Sequence, residues 1–474
     1  MERVVRHILS HFQHSPTPGQ LAACGRLAEF LYDSDRRSAF VLKGYAGTGK
    51  TSLISALIQS APAMRISTVL LAPTGRAAKV LSNYAGKPAY TIHKKIYQTV
   101  VDGSGAMQMA RAVNKHGYTL FIVDEASMIG LSDGIGQRSL LDDLIDYVYG
   151  GIHCRLLLVG DTAQLPPVGA AESPALNIDL LYEIASLKIF HYELTEVVRQ
   201  QQLSGILLNA TMLRAQIARM QESEQPTMPL FDLSDCCDVL RLGGADLEEV
   251  LHQEYGGGRQ GQVVIITRSN KRANLFNQQI RSRVFYHEEE VSAGDLLMVV
   301  KNNYYWLDEN SDIGFIANGD IVAVQSIRNQ QEIYGFHFVD ATLRFVDYPD
   351  APLQDCKLLL ETLHSESPAL SREEMLRLFD AIMEDYADLP HKADRIKAVK
   401  NDPYFNALQV KFSYAITCHK TQGGQWETVI VDQGYVVDEM ESREYLRWLY
   451  TAMTRATQRV YLLNFRDKYF PDEG

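Results

Sequence analysis

Several features that mark secreted, zinc-binding or membrane-spanning proteins are missing from this sequence. Its 474 residues include six cysteines, and no two of them have the C-x-x-C spacing of a zinc or redox site. No apolar run approaches the roughly 20 residues that a membrane-spanning helix needs. The first residues, Met-Glu-Arg-Val-Val-Arg-His, lack the apolar core of a signal peptide. These absences predict a cytoplasmic protein with reduced thiols and no membrane partner.

An excess of positive charge is also missing. The chain carries 46 Lys and Arg against 58 Asp and Glu, which gives a formal net charge of −12. This balance argues against a protein that coats nucleic acid with a generally basic surface. A local basic groove is compatible with it, so a nucleic-acid function has to be argued from motifs.

The most informative motif that is present lies at residues 44–51, Gly-Tyr-Ala-Gly-Thr-Gly-Lys-Thr, directly after the apolar run Ala39–Leu42. It matches the G-x-x-x-x-G-K-[ST] P-loop in its strand–loop–helix context. Such a loop points backbone N–H groups at phosphates, Lys50 reaches the β- and γ-phosphates, and Thr51 binds Mg²⁺. A glycine-rich turn without a ligand is the alternative. The predicted nucleotide-binding residues here are Gly44, Ala46, Gly47, Thr48, Gly49, Lys50 and Thr51.

A second apolar run, Leu120–Val123, ends in the paired carboxylates Asp124 and Glu125. Behind a P-loop, this pattern indicates a Walker B strand. Asp124 is then expected to order the Mg²⁺ shell, and Glu125 to act as the general base that takes a proton from the attacking water. Without the P-loop, a solvated strand end would be the simpler interpretation.

Three further side chains are candidates for the γ-phosphate. Gln164 follows the apolar run Arg155–Val159 and carries an amide suited to sensing the γ-phosphate or its water, although it could also stabilise its own loop. Arg199 and Arg455 are guanidinium groups that could stabilise the charge developing on the phosphate oxygens. Each arginine taken alone also fits a surface ion pair, so these assignments depend on the other motifs.

Short apolar runs alternate with helical stretches in two parts of the chain, which is typical of parallel sheets buried on both faces. We expect one α/β domain over 1–200 and another over 201–474. The predicted strands are Ala39–Leu42, Thr68–Leu71, Leu120–Val123, Arg155–Val159 and Leu187–Phe190 in the first, and Val263–Ile266, Thr428–Val431 and Val460–Leu463 in the second.

Two insertions interrupt these domains. Residues 84–118 contain a hairpin-like turn at Asp102-Gly103 between β-branched residues. Residues 288–410 have a β-rich half with a turn at Asn318-Gly319, followed by an acidic helical half over 371–399.

Taken in order, the motifs resemble those of helicase superfamily 1, in the B-type branch of RecD-like and Dda-like enzymes. They are Thr17-Pro18-Gly19-Gln20, the P-loop, Ala72–Lys79, Asp124–Ser127, Gly160–Pro167, Arg199, Tyr414–Gly423 and Tyr450–Ala456. The resemblance implies an α/β fold with two RecA-like parallel-sheet motor domains. It implies ATP and Mg²⁺ in the cleft between them and single-stranded DNA across both. It further implies an ATP-dependent DNA helicase that works at duplex junctions and moves 5′→3′.

The resemblance also assigns roles to single residues. Gln20 would hydrogen-bond adenine, but Thr17 and Gln20 also fit a capping box, and both alternatives stay open. Gly423 falls in a nucleotide-binding motif. Thr74, His93 and His419 match positions along the nucleic-acid path, where uncharged groups contact phosphates without reading sequence, and a packing role is the alternative.

The two insertions match those of the same enzymes. Residues 84–118 would carry a hairpin that separates strands, and 288–410 would carry a small β-barrel followed by a helical segment. The string Asn302–Trp306 resembles one found where that barrel begins. Its aromatic rings could stack on bases, although burial tendencies favour the barrel core.

Two other functions are consistent with the sequence. An RNA or dual-specificity helicase is the alternative within the motor class, because no motif here reads a 2′-hydroxyl. A nucleotide-dependent switch that needs a partner for DNA contact is the alternative outside it, and the acidic net charge supports it.

Overall fold

A computed structural model describes most of the chain. Among the described residues, no helix combines the length and the apolar character needed to cross a membrane. The described residues are 1–101, 107–131, 138–198, 204–220, 228, 230–233, 237–255, 259, 261–307, 311, 313 and 315–471.

The first half of the chain is built on a parallel sheet. Its strand order is β3-β2-β6-β7-β1-β8, and every neighbouring pair is parallel. Strands β4 and β5 form a separate antiparallel hairpin. The bounds are β1 Ser38–Gly44, β2 Ser67–Ala72, β3 Ala89–Thr91, β4 Tyr97–Val101, β5 Met107–Arg111, β6 Thr119–Val123, β7 Arg155–Gly160 and β8 Lys188–Leu194.

The second half contains a parallel sheet and a closed barrel. The sheet has the order β16-β10-β17-β18-β9, and the barrel consists of β11 to β15. The bounds are β9 Val239–Leu242, β10 Val263–Thr267, β11 Leu296–Val299, β12 Ile321–Ile333, β13 Phe336–Phe345, β14 Gln354–Leu359, β15 Leu408–Phe412, β16 Ala415–Thr417, β17 Trp426–Asp432 and β18 Ala456–Leu463.

Helices connect and cover these sheets. They are α1 Glu2–Leu9, α2 Pro18–Leu31, α3 Lys50–Ser60, α4 Gly75–Ala85, α5 Ile92–Ile96, α6 Leu140–Tyr149, α7 Ile178–Ala185, α8 Gly205–Arg219, α9 Leu247–Tyr255, α10 Asn270–Gln279, α11 Glu361–His364, α12 Arg372–Asp385, α13 Lys392–Lys400, α14 Cys418–Thr421 and α15 Arg443–Met453.

Both faces of the first sheet are buried. Phe40 and Leu42 of β1 pack on one face, in a cluster with residues of α2 and α3. Ala39 and Val41 point to the other face and pack with residues of α6 and α7. Because successive side chains of a strand point to opposite faces, a strand covered on both sides has to be apolar throughout. This is why the strands read as continuous apolar runs.

The barrel interrupts the second sheet between β10 and β16. Helices α11, α12 and α13 follow β14 and precede β15. Phe336 and Phe338 of β13 pack with Leu378 and Ile382 of α12 and with Val399 of α13. The helical segment therefore shares a small apolar core with the barrel.

The predicted fold class is confirmed: two parallel-sheet α/β domains, a hairpin in the first and a barrel with a helical segment in the second. Among the described residues of 84–118, the hairpin strands are Tyr97–Val101 and Met107–Arg111, and the preceding residues complete α4 and form β3 and α5. Its predicted turn at Asp102-Gly103 lies outside the described residues. So does the predicted domain boundary at 200, and the domain limits stay predictions.

Helix α4 of the first sheet contacts both the barrel and the second sheet. Lys79 forms a buried ion pair with Asp320, with 2.8 Å between Nζ and Oδ2. The guanidinium of Arg76 lies 4.1 Å from the ring centre of Trp426 on β17. Burial raises the pKa of the Asp320 carboxyl, and the Lys79 ammonium opposes that shift. The two halves of the chain are thus held together by charged contacts that are removed from water.

Candidate active site

The P-loop joins the end of β1 to the start of α3. Gly47 and Gly49 have φ angles of 74° and 77°, a left-handed conformation that favours glycine. A β-carbon on Gly44 would lie 2.9 Å from Cγ of Lys50 and from Oγ1 of Thr48. The loop therefore needs glycine at these positions for its curvature and close packing.

Lys50 is directed over this loop. Its ammonium donates hydrogen bonds to the carbonyls of Gly44, at 2.6 Å, and Tyr45, at 2.9 Å. The helix that begins at Lys50 directs its free N–H groups toward the same place, and Thr51 lies in its exposed first turn. Loop curvature, ammonium and helix terminus together fit a triphosphate.

Gln20 was predicted either to form a capping box with Thr17 or to contact adenine, and the structure shows the capping box. Thr17 N–H donates to Gln20 Oε1 at 2.9 Å, and Gln20 N–H donates to Thr17 Oγ1 at 3.2 Å. The remaining amide group, Nε2, donates to the carbonyl of Gly49 at 3.3 Å. The side chain thus ties α2 to the P-loop in this conformation, and a contact with adenine stays a prediction.

The paired carboxylates lie just beyond β6. Asp124 Oδ1 accepts the backbone N–H of Glu125 at 2.9 Å, and Oδ2 accepts the Tyr84 hydroxyl at 2.5 Å. Glu125 has a φ of 51°, in the left-handed region. Strain of this kind persists where the surroundings fix the backbone, as they do at functional sites. Tyr84, on α4, was not identified from the sequence, because nothing in the local pattern places it beside Asp124.

Burial raises the pKa of the Glu125 carboxyl. The nearby cations Arg455 and Lys50 oppose this shift, and the anions Asp124 and Asp161 add to it. A base with a raised pKa accepts a proton more readily near neutral pH. Lys50 belongs to the P-loop, Asp124 and Asp161 follow strand ends, and Arg455 belongs to the second domain. The fold therefore brings residues that were predicted separately into one site.

The loop after β7 is linked to the second domain through Tyr450. The Tyr450 hydroxyl donates to Asp161 Oδ2 at 2.6 Å and accepts the N–H of Ala46 in the P-loop at 2.9 Å. Beside it, Leu165 N–H donates to Thr451 Oγ1 at 2.9 Å. Gln164 lies between these contacts, and its buried Oε1 has no hydrogen-bond partner among the described residues. Such an acceptor fits a water or a donor from a bound ligand.

Arg455 follows the end of α15 and is buried. Its guanidinium donates to the carbonyl of Thr451 at 3.1 Å, to the carbonyl of Gly424 at 3.4 Å and to the Thr454 hydroxyl at 3.3 Å. These partners are neutral, so they orient the guanidinium without cancelling its charge. That arrangement fits a cation reserved for an anionic ligand.

Two other predicted nucleotide contacts, Gly423 and Arg199, stay predictions. A β-carbon on Gly423, whose φ is 76°, would lie 2.7 Å from Cβ of Ala77, so Gly423 packs on α4 and its role in nucleotide binding stays a prediction. Arg199 lies outside the described residues. Val198, the last described residue before it, lies beside the P-loop, because its N–H donates to the carbonyl of Gly47 at 3.0 Å.

The predicted DNA-contact residues Thr74, His93 and His419 are divided between the two domains. Thr74 caps α4 by accepting the N–H of Ala77 at 3.2 Å, so its hydroxyl has a structural role as well. His93 is exposed on α5. His419, on α14, lines a cavity of about 160 Å³, where burial lowers its pKa.

The aromatic string at the start of the barrel is only partly in the core. Trp306 packs against the core, and its Nε1–H donates to the carbonyl of Asn406 at 2.7 Å. Tyr304 and Tyr305 are exposed, at 55% and 40%. The preference for a core role was therefore wrong for the two tyrosines, because the chain leaves the barrel wall at these positions.

Two protein-family models match separate parts of the chain. Residues 16–223 match a family model described as an AAA domain, and residues 412–463 match a UvrD-like helicase C-terminal domain. The first range includes the P-loop and the paired carboxylates. The second includes Gly423 and Arg455.

Two similar proteins are named as helicases. The chain is 29% identical to the ATP-dependent RecD2 DNA helicase of Deinococcus radiodurans over 348 residues, 70% of this chain and 44% of that protein. It is 30% identical to the ATP-dependent DNA helicase dda of Enterobacteria phage T4 over 173 residues, 35% of this chain and 36% of that protein. The chain thus spans less than half the length of these two helicases.

A solved structure of two coordinating Pif1 helicases that unwind DNA at forked dsDNA is similar in fold. The alignment covers 97% of this chain and 95% of the Pif1 chain, with a TM-score of 0.51 and 15% sequence identity. At this sequence identity the similarity shows a shared fold.

The first prediction concerns the proposed base. Glu125→Gln keeps the size and shape of the side chain but removes the carboxylate that takes the proton, so kcat for ATP hydrolysis is expected to fall by about 10²–10⁴. ATP affinity is expected to change little. Steady-state ATPase and nucleotide binding measure the two effects. Glu373→Gln, on the exposed first turn of α12, is the control, and normal hydrolysis by Glu125→Gln would place the base elsewhere.

A second prediction concerns Tyr84. Tyr84→Phe removes one hydrogen bond to the Asp124 carboxylate, which is worth about 1.5–3 kcal/mol for a charged acceptor. We expect the ATPase to need a several-fold higher Mg²⁺ concentration for half-maximal rate, because Asp124 is less firmly oriented.

Tyr149→Phe is the matched control, since the Tyr149 hydroxyl is also half-buried but donates to the carbonyl of Ser38 at 2.8 Å, away from the carboxylates. An Mg²⁺ dependence that is the same in both variants would show that the Tyr84 contact does not position Asp124.

Proposed function

We propose that this chain, which belongs to the RecD- and Dda-like branch of helicase superfamily 1, hydrolyses ATP between its two parallel-sheet domains. The hydrolysis would drive movement along single-stranded DNA and unwinding of duplex. The observation that carries this proposal is the contact of the second domain with the P-loop, where the Tyr450 hydroxyl accepts the N–H of Ala46 and donates to Asp161. Charged groups of both domains surround Glu125 at this contact. Lys50 and Asp124 belong to the first domain and Arg455 to the second.

Each of these residues has a distinct task in the proposal. Lys50 neutralises the β- and γ-phosphates, and Thr51 and Asp124 hold Mg²⁺. Glu125 takes the proton of the attacking water, and the free Oε1 of Gln164 orients that water. Bound ATP with Mg²⁺ supplies the phosphoryl group and its charge.

Arg455 makes hydrolysis depend on the relative position of the domains. Its guanidinium is held by groups of the second domain, and it contributes to the γ-phosphate site only where that domain meets the P-loop. Charge supplied in this way acts mainly in the transition state. Opening and closing of the cleft would then alternate the affinity of each domain for DNA, which movement along a strand requires.

The nucleic-acid path is proposed to cross both domains. Thr74 and His93 lie at the starts of α4 and α5 in the first domain, and His419 lies on α14 in the second. Hydroxyl and imidazole groups contact phosphates without fixing a sequence, which suits a protein that slides. DNA is the proposed strand because the RecD2 and dda relatives are named as DNA helicases.

Arg455→Ala is expected to lower kcat by orders of magnitude with a smaller loss of ATP affinity, because the lost charge acts in the transition state. The variant is also expected to lose stimulation by single-stranded DNA. Arg328→Ala, which removes an exposed guanidinium on the barrel, is the control. If single-stranded DNA still stimulates ATP hydrolysis by Arg455→Ala to the wild-type rate, Arg455 does not belong to the active site.

The hairpin β4–β5 is proposed to separate the strands, and the movement is proposed to run 5′→3′. Each base-pair step opposes stacking of roughly 1–2 kcal/mol, so a rigid obstacle is sufficient. Replacing residues 98–112 with a tight turn is expected to abolish unwinding and to leave DNA-stimulated ATPase largely intact. A strand-displacement assay on duplexes with a 5′ or a 3′ tail measures both claims. Unwinding only of the duplex with a 3′ tail would contradict movement in the 5′→3′ direction. Full unwinding by the shortened variant would show that the hairpin does not separate the strands.

A further inference from the structure

We propose that the exposed ring of Tyr304 is a stacking site for one base of the bound single strand. The proposal rests on the proposed function, because it assigns a contact to the strand that the motor is expected to hold. It differs from the predicted phosphate contacts, since it engages the face of a base. It also gives a role to the aromatic string at the start of the barrel.

The backbone around Tyr304 is fixed to a neighbouring part of the barrel. Asn303 and Ile316 exchange two backbone hydrogen bonds, of 2.7 and 3.0 Å. The side-chain carbonyl of Asn303 also accepts the N–H of Tyr305 at 2.9 Å. Tyr304 is therefore carried on a paired, hydrogen-bonded segment and not on a free loop end.

This segment lies against the motor domain at the start of α4. A β-carbon on Gly75 would lie only 1.8 Å from Cβ of Ala317, which directly follows Ile316. Gly75 is the residue after Thr74, one of the predicted DNA-contact residues. The barrel segment that pairs with Asn303 thus touches the helix terminus where the strand is expected to pass.

The ring of Tyr304 connects to a second predicted contact. It stacks on Phe315, with 5.1 Å between ring centres and 23° between planes. The Lys94 ammonium lies 4.4 Å from the ring centre of Phe315, and Lys94 follows His93 on α5. The stacked pair therefore lies beside α5, the helix that carries His93.

The two rings differ in their exposure. Phe315 is buried, and Tyr304 is 55% exposed. An aromatic ring that stays in water lacks the favourable free energy of apolar burial. A base stacked on the Tyr304 ring would bury its exposed face and supply that free energy. Phe315 supports the ring from one side, so little conformational freedom is left to lose on binding.

The chemistry of the site selects a single strand. Base–aromatic stacking needs an unpaired base whose face is free, and it tolerates any sequence because every base has such a face. The exposed Lys94 carries its ammonium over the ring of Phe315, and the exposed Lys301 shortly precedes Tyr304 in the chain, so both cations are suited to phosphates next to the ring. A stacked ring next to cations is the arrangement that holds single strands without reading them.

The test uses the full chain and an oligothymidylate labelled with fluorescein, with Kd measured by anisotropy. Tyr304→Ala is expected to weaken binding about tenfold, within the range that alanine substitution gives for a base-stacking ring. Tyr304→Phe is expected to bind like the wild type, because the ring is retained. The matched control is Tyr182→Ala, since Tyr182 is 66% exposed on α7.

A second measurement separates stacking from charge. An abasic site moved along the oligonucleotide is expected to weaken wild-type binding at one position and to have no such effect on Tyr304→Ala. The slope of affinity against salt should be unchanged in Tyr304→Ala, because no phosphate contact is lost. Unfolding midpoints of all variants show that each one is folded.

The outcomes are distinct. If the wild type binds the strand and Tyr304→Ala binds equally well, or if Tyr304→Phe is as weak as Tyr304→Ala, the stacking site is wrong and the proposed function stands. If the wild type itself does not bind single-stranded DNA, the proposed function fails first and the stacking site fails with it.

Discussion

The rest of the site depends on the hydroxyl of Tyr450. It joins Asp161, at the end of a strand in the first sheet, to the N–H of Ala46 in the P-loop, while Tyr450 itself belongs to the second domain. A buried hydroxyl that lost both partners would carry the desolvation cost of an unpaired polar group. This contact therefore favours one placement of α15 against the P-loop. Arg455 follows on the same segment, and its charge reaches Glu125 because of that placement.

Helix α4 provides a physical route between nucleic acid and hydrolysis. Thr74 caps its first turn, and Tyr84 in its last turn donates to Asp124. Between them, Lys79 pairs with Asp320 of the barrel. A shift of this one helix would thus move three groups together: the proposed DNA contact Thr74, the barrel, and the Asp124 carboxylate that is proposed to bind Mg²⁺. Such a rigid element, biased by both ligands, is what energetic coupling between two sites requires.

Much of this was predictable from sequence, for local reasons. Strands such as Ala39–Leu42 are recognisable because both sheet faces are buried, and the P-loop because its glycines and lysine are contiguous. What was missed depends on contacts between distant residues. Strand β9, Val239–Leu242, is a four-residue edge strand with too little pattern to identify, and the contact between Tyr84 and Asp124 spans 40 residues. The prediction that Tyr304 lies in the barrel core was also wrong. Burial tendency is an average over all tyrosines, and it does not show where the backbone leaves the barrel wall.

The central claim is that one chain contains both the ATPase site and the nucleic-acid path that stimulates it. The most direct measurement is the steady-state ATPase rate of the purified chain alone, with single-stranded DNA, single-stranded RNA or no nucleic acid. The account predicts a low basal rate that rises by at least about tenfold at saturating DNA, with stimulation that weakens at higher salt as phosphate contacts are screened. An ATPase rate that does not change with DNA would contradict the account and favour a nucleotide-dependent switch that needs a partner for DNA contact. Stimulation by RNA but not by DNA would indicate an RNA helicase.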